Sequence, residues 1–155
     1  MNIRLAGFVL LLALSLASGI AGAQDTGGGG DVDFVGSVKT VTGAAYIVHE
    51  DVKTPAAVGD HFYEGDSLVT RSSSSIGVIF RDDTILSLGP GSEVAIDEFI
   101  FDPAEGNMSF LARMNKGVGQ FITGQMAKIA PDNMRVETPL TTIGIRGTRF
   151  LVKVD

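Results

Sequence analysis

The chain has 155 residues, no cysteine and no tryptophan, and 12 Lys and Arg stand against 18 Asp and Glu for a formal net charge of −6. Without cysteine there are no disulfides, thiolate metal sites or cysteine nucleophiles, so packing and backbone pairing must hold the fold. The acidic balance, with no basic run and no aromatic interleaving, excludes a nucleic-acid footprint and suits a domain kept soluble by its charge.

Residues 1–23 read as a cleavable secretory signal peptide. Arg4 and the amino terminus supply positive charge, Leu5 to Ile20 is almost wholly apolar, and Ala21-Gly22-Ala23 offers small residues for cleavage before Gln24. Glycine and serine interrupt the apolar stretch and no basic cluster follows it, so no stable membrane span is expected after cleavage. Export places the mature domain in the periplasm or outside the cell. Residues 24–33, with Gly27-Gly28-Gly29-Gly30, read as a flexible linker. Residues 34–155 form one domain, long enough to bury roughly two thirds of its unfolded surface.

From Phe34 onward, short apolar runs are broken by Gly59-Asp60, Glu64-Gly65-Asp66, Asp82-Asp83, Gly89-Pro90-Gly91-Ser92, Gly106-Asn107 and Pro131-Asp132-Asn133. That spacing predicts many short strands. Ile76, Val78 and Phe80 share one strand face, and Val94 and Ile96 repeat the alternation. Asp97 and Glu98, as strand neighbours, are expected on opposite faces, and Ser72 to Ser75 reads as an exposed turn. The one helical candidate is Gln125 to Ala130, ended by Pro131. A longer helix over Met108 to Met126 would carry three glycines, each costing about 1 kcal/mol. Near the end, Ile143 and Ile145 face one way and Phe150, Val152 and Val154 the other. The phase slip across Arg146-Gly147-Thr148-Arg149 predicts a bulge or sharp bend at Gly147.

Taken in order, Gly36-Ser37-Val38 with Gly43, Glu64 through Thr70, Phe80-Arg81-Asp82-Asp83-Thr84, Gly89-Pro90-Gly91-Ser92, Thr138-Pro139 and Gly144-Ile145-Arg146-Gly147-Thr148-Arg149-Phe150 resemble a FecR-type domain. The resemblance spans roughly residues 34 to 155. It implies an extracytoplasmic all-β fold, arranged as a β-roll or short β-solenoid, with a β-sandwich as the alternative. In the family's founding members, it implies a relay from an outer-membrane iron-siderophore receptor to a cytoplasmic sigma factor. This sequence shows no anti-sigma helices before the domain and no internal span, so the domain is expected without that wiring.

No catalytic constellation is expected. His49 and His61 lack zinc-site spacing, no Gly-x-Ser-x-Gly elbow exists, and Gly89-Pro90-Gly91-Ser92 lacks the lysine of a phosphate loop. Calcium at the acidic turns would need six to eight oxygens, and no EF-hand spacing is present. The expectation is therefore a non-enzymatic module with no cofactor and no catalytic or metal residue, working through a protein partner or self-association in envelope sensing. Alternatives are an accessory regulator of a separately encoded anti-sigma and sigma pair, or an envelope carbohydrate-binding module, which the scarcity of aromatics disfavours. The small-molecule ligand, if any, is not identified. Candidate contact or structural residues are Gly144, Arg146, Gly147, Thr148 and Phe150, and the candidate turn motif is Asp82, Asp83, Gly89, Pro90 and Gly91. At Arg146 a guanidinium offered to a partner competes with one locking the last strand.

Overall fold

The computed structural model describes residues 33–155, so the leader and all of the linker except Asp33 lie outside the described residues. Strands form where apolar and polar side chains alternate. β1 (Gly36–Thr42), β2 (Ala45–His49) and β3 (Val52–Pro55) precede β4 (His61–Phe62), β5 (Ser67–Thr70), β6 (Ser75–Phe80) and β7 (Ile85–Leu88). The long pair β8 (Glu93–Asp102) and β9 (Asn107–Ile122) follows. A short helix α1 (Gln125–Ile129) and a 3-10 turn (Pro131–Asn133) then lead to β10 (Met134–Glu137), β11 (Thr142–Gly144) and β12 (Arg149–Val154).

The strand β9 belongs to two ladders at once. Its first part pairs with β8 and, in parallel, with β10; its second part pairs with β7 and β12. One ladder runs β3-β2-β5-β8-β9-β10-β11 and the other β4-β1-β6-β7-β9-β12. The 12 strands curl into a largely antiparallel half-barrel, built of the short strands that the turn spacing predicted and of the all-β class that the resemblance implied. The parallel pairing of β9 with β10 requires a crossover, which α1 and the 3-10 turn supply.

The slip of register inside β9 makes this sharing possible. Met108, Phe110, Ala112 and Met114 are buried, but beyond Asn115 the buried parity changes to Phe121. Gly117, at φ +88°, sits at the change. Inward side chains of both ladders then meet in one core. Phe80 contacts Phe62 and Phe110 edge-on at 5.2 and 5.1 Å and stacks near Phe99 at 5.5 Å. Complete burial of each ring contributes about 2 kcal/mol.

Several local readings hold, and two change. Ile76, Val78, Phe80, Val94 and Ile96 are all buried, and the helix is as short as expected, with Met126 its one buried residue. The stretch Ile143 to Val154 is broken between Gly144 and Arg149, with Gly147 at φ +129°, a backbone that side-chain-bearing residues rarely adopt. The break lets β11 stay on β10 while β12 moves to β9. Asp97 and Glu98, however, do not face opposite ways. A bulge at Asp97 separates the buried Ile96 and Phe99 by three positions, leaving both acids outside. Nor is the serine run wholly exposed, because Ser74 is buried, and its Oγ accepts from Ala44 N–H at 2.9 Å.

Candidate functional site

The Arg-Gly-Thr segment is an exposed stretch anchored at both ends. Ile145 is 2 % exposed and Phe150, half-buried, stacks on Phe121 at 4.9 Å, so these two anchor the segment to the core. Arg146, Gly147, Thr148 and Arg149 are exposed between them, and Gly144 is exposed just before Ile145. Thr123 holds the bend: its N–H donates to Thr148 O at 3.0 Å and its hydroxyl to Gly147 O at 2.8 Å. Arg146 reaches Asp132 through Nη2 alone, at 3.2 Å, and both side chains are more than four-fifths exposed. A pair so placed in water is worth about 0 to 1 kcal/mol.

The turn motif is inward and connected. Asp82 is fully buried, and its carboxylate accepts from Thr84 N–H at 3.1 Å, Thr84 Oγ–H at 2.8 Å and Met126 N–H at 3.3 Å. Its carbonyl accepts from Gln125 N–H at 2.6 Å, while the exposed Asp83 side chain accepts from the Gln125 amide at 2.6 Å. Thr84 Oγ in turn accepts from Gly124 N–H at 3.0 Å. Through Thr123 and Gly124, this turn and the Gly147 bend share one end of the molecule.

Gly89-Pro90-Gly91 lies at the other end of β7. The N–H groups of Gly89 and Gly91 donate to Val118 O and Arg71 O at 2.9 and 3.0 Å, and Gly89 O accepts from the Thr70 hydroxyl at 2.7 Å. With these donors turned to the chain itself, the turn is a clamp between β5 and β9 and does not cradle an anion.

The two histidines, twelve residues apart in sequence, line one groove of 510 Å³ with Ile47, Thr54, Tyr63 and Asp66. His49 Nδ1 lies 2.5 Å from Oδ1 of the buried Asp66, whose Oδ2 accepts from Tyr63 N–H at 2.8 Å. His61 stacks on Phe34 at 4.0 Å. The hydrogen bond to Asp66 and then its charge raise the His49 pKa above 6.5, against an opposing effect of burial and with a smaller upward push from Glu50. Because the folded value lies above the unfolded one, this contribution to stability is complete below pH 6.5 and disappears as pH rises through the raised value. Wild-type melting temperature should therefore fall as pH rises above 6.5 by a component absent from His49→Gln. Parallel pH profiles for the two proteins, measured by calorimetry, would refute that coupling.

Among the described residues no group of three or more His, Cys, Asp or Glu is placed to hold a metal ion, and no helix is long and apolar enough to cross a membrane. A depression of 440 Å³ lies beside the bend, lined by Arg135, Arg146, Asp132, Pro131 and Ile145 among others. Next along the same segment stands a residue that sequence reasoning missed. Leu140 is 96 % exposed at the tip of the β10–β11 hairpin, yet its turn is ordered: Thr138 N–H donates to Thr141 O at 2.8 Å, and Thr138 Oγ accepts from the N–H groups of Leu140 and Thr141. A lone leucine between Thr138-Pro139 and Thr141-Thr142 was the available signal. A protein-family model described as FecR protein matches residues 66–155. No curated protein and no solved structure matches the chain.

Proposed function

Because the chain belongs to the FecR protein family, a signalling family whose members work with other proteins, we propose that it is a non-catalytic sensing module acting outside the cytoplasm through protein contact. The observation that carries the reading is the exposed Leu140 at the tip of the β10–β11 hairpin, with the exposed Arg146 at the hairpin's other end. A hydrogen-bonded turn presents an apolar side chain to water at no benefit to the fold, and the exposed Arg146 adds little to stability. Arginine is enriched among the anchors of protein interfaces, and a turn already ordered before binding lowers the cost of association. The leader read over residues 1–23 supports export to the periplasm or beyond. A separately encoded membrane regulator of a sigma factor is the partner class that the family's signalling role favours.

The test is site-specific photo-crosslinking from position 140 in intact cells of the exporting bacterium, followed by mass spectrometry. Capture of a membrane regulator or an outer-membrane receptor supports the proposal; capture of nothing, or of only the chain itself, overturns it. Arg146→Ala should leave unfolding free energy within about 0.5 kcal/mol of wild type while reducing that capture. A marked loss of stability instead would assign Arg146 to the fold.

A further inference from the structure

The strand β12 ends its ladder, and among the described residues it pairs only with β9. Alternate N–H and C=O groups along an edge strand point away from the sheet, ready to pair with another strand. The other ladder ends offer less to a partner. β4 has 2 residues and β11 has 3, while β3 carries Lys53 and ends at Pro55, two devices that blunt an edge. β12 is 6 residues long and has no proline.

Its side chains define what it accepts. On the outer face stand Arg149, Leu151 and Lys153, with Leu151 64 % exposed. On the inner face Val152 is buried, whereas Phe150 and Val154 are covered only in part. Lys153 meets Asp155 at 3.0 Å in an exposed pair that a partner's carboxylate can replace, and Arg149 has no ion pair among the described residues. The charge of the C-terminal stretch of sequence is in keeping with this. Residues 123–155 contain Lys128, Arg135, Arg146, Arg149 and Lys153 against Asp132, Glu137 and Asp155, whereas residues 34–122 are strongly acidic.

A second copy of β12 is a poor occupant. Antiparallel pairing centred on Leu151 places Arg149 opposite Lys153 twice, and directly opposed like charges are destabilising. We propose that β12 is a strand-addition edge selecting an extended segment of another protein, with acidic residues opposite Arg149 and Lys153 and apolar residues between them. The proposal rests on the reading that the domain acts by protein contact, and it specifies the chemistry of the segment contacted. Main-chain pairing supplies affinity in such complexes, and the alternating side chains supply selectivity.

The test uses the mature chain and two short fluorescent peptides, one with two glutamates flanking three valines and one with two lysines flanking three valines. Anisotropy should show the glutamate peptide binding about tenfold tighter, an advantage shrinking at high salt, with hydrogen exchange slowed in β12. The double variant R149E/K153E should reverse the preference, which separates recognition from folding because both outer-face side chains project into solvent. Equal binding of the two peptides, or protection confined to other strands, overturns the proposal. Crosslinking from position 140 in the charge-reversed protein keeps the two readings apart. Undiminished capture of the regulator, together with indifferent peptide binding, removes the β12 edge and leaves the signalling reading standing.

Discussion

Asp82→Ala should destabilise the domain by about 4 kcal/mol, the largest effect of any single polar substitution considered, and lower the melting temperature by roughly 15 °C. The carboxylate is fully buried and receives three hydrogen bonds, two from Thr84 and one from Met126 N–H. Alanine removes the acceptor and strands those donors away from water, so the cost includes their desolvation as well as the lost bonds. Asp82→Asn keeps one acceptor oxygen and should cost about half as much. The damage should also spread. Thr84 positions Gly124, and Thr123 next to it holds the Gly147 bend, so hydrogen exchange in Asp82→Ala should accelerate at β12 as well as at the β6–β7 turn. A melting shift of only a few degrees, or exchange unchanged at β12, would show that the two ends of this network are independent.

Gly117→Ala should cost about 3 kcal/mol, from two additive causes. At φ +88° a side-chain-bearing residue is strained, and a Cβ built there would lie 2.5 Å from Ser92 Cα, a backbone atom that cannot move aside alone. Ser92 cannot retreat, because Thr70 Oγ accepts from its N–H at 2.9 Å and its own Oγ accepts from Val118 N–H at 2.9 Å. Since Gly117 marks the point where β9 passes from one ladder to the other, both ladders should loosen together. Denaturant unfolding should show a lower midpoint with a single transition. A stability equal to wild type would mean that the register change does not need the left-handed residue.

These two expectations bear on how much was legible beforehand. The parity change in β9 is visible as Met108, Phe110, Ala112 and Met114 followed by Phe121, but its meaning is not, because a register slip looks the same whether it bends a strand or hands it to a new neighbour. Asp82 was legible as a turn residue only. Nothing local distinguishes it from the exposed Asp83 beside it; the difference is the arrival of Gly124 to Met126 from far along the chain. The candidate site was read in the same proportion. Gly147 was legible from the phase of its flanking strands, whereas Leu140 and the outer face of β12 acquire meaning only from what does not cover them.

What the amino-acid order determined alone is therefore the local geometry: an all-β chain, its turns, a helix no longer than a turn or two, the bend at Gly147 and the family to which the order of motifs belongs. Period-two burial and backbone sterics act between near neighbours, so they can be read along the chain. Tertiary structure decided the rest: which strand β12 pairs with, that His49 meets Asp66, and that Asp82 is buried while Arg146 is not. Those outcomes depend on contacts between residues far apart in sequence, and many pairings satisfy the same local pattern until the whole core selects one.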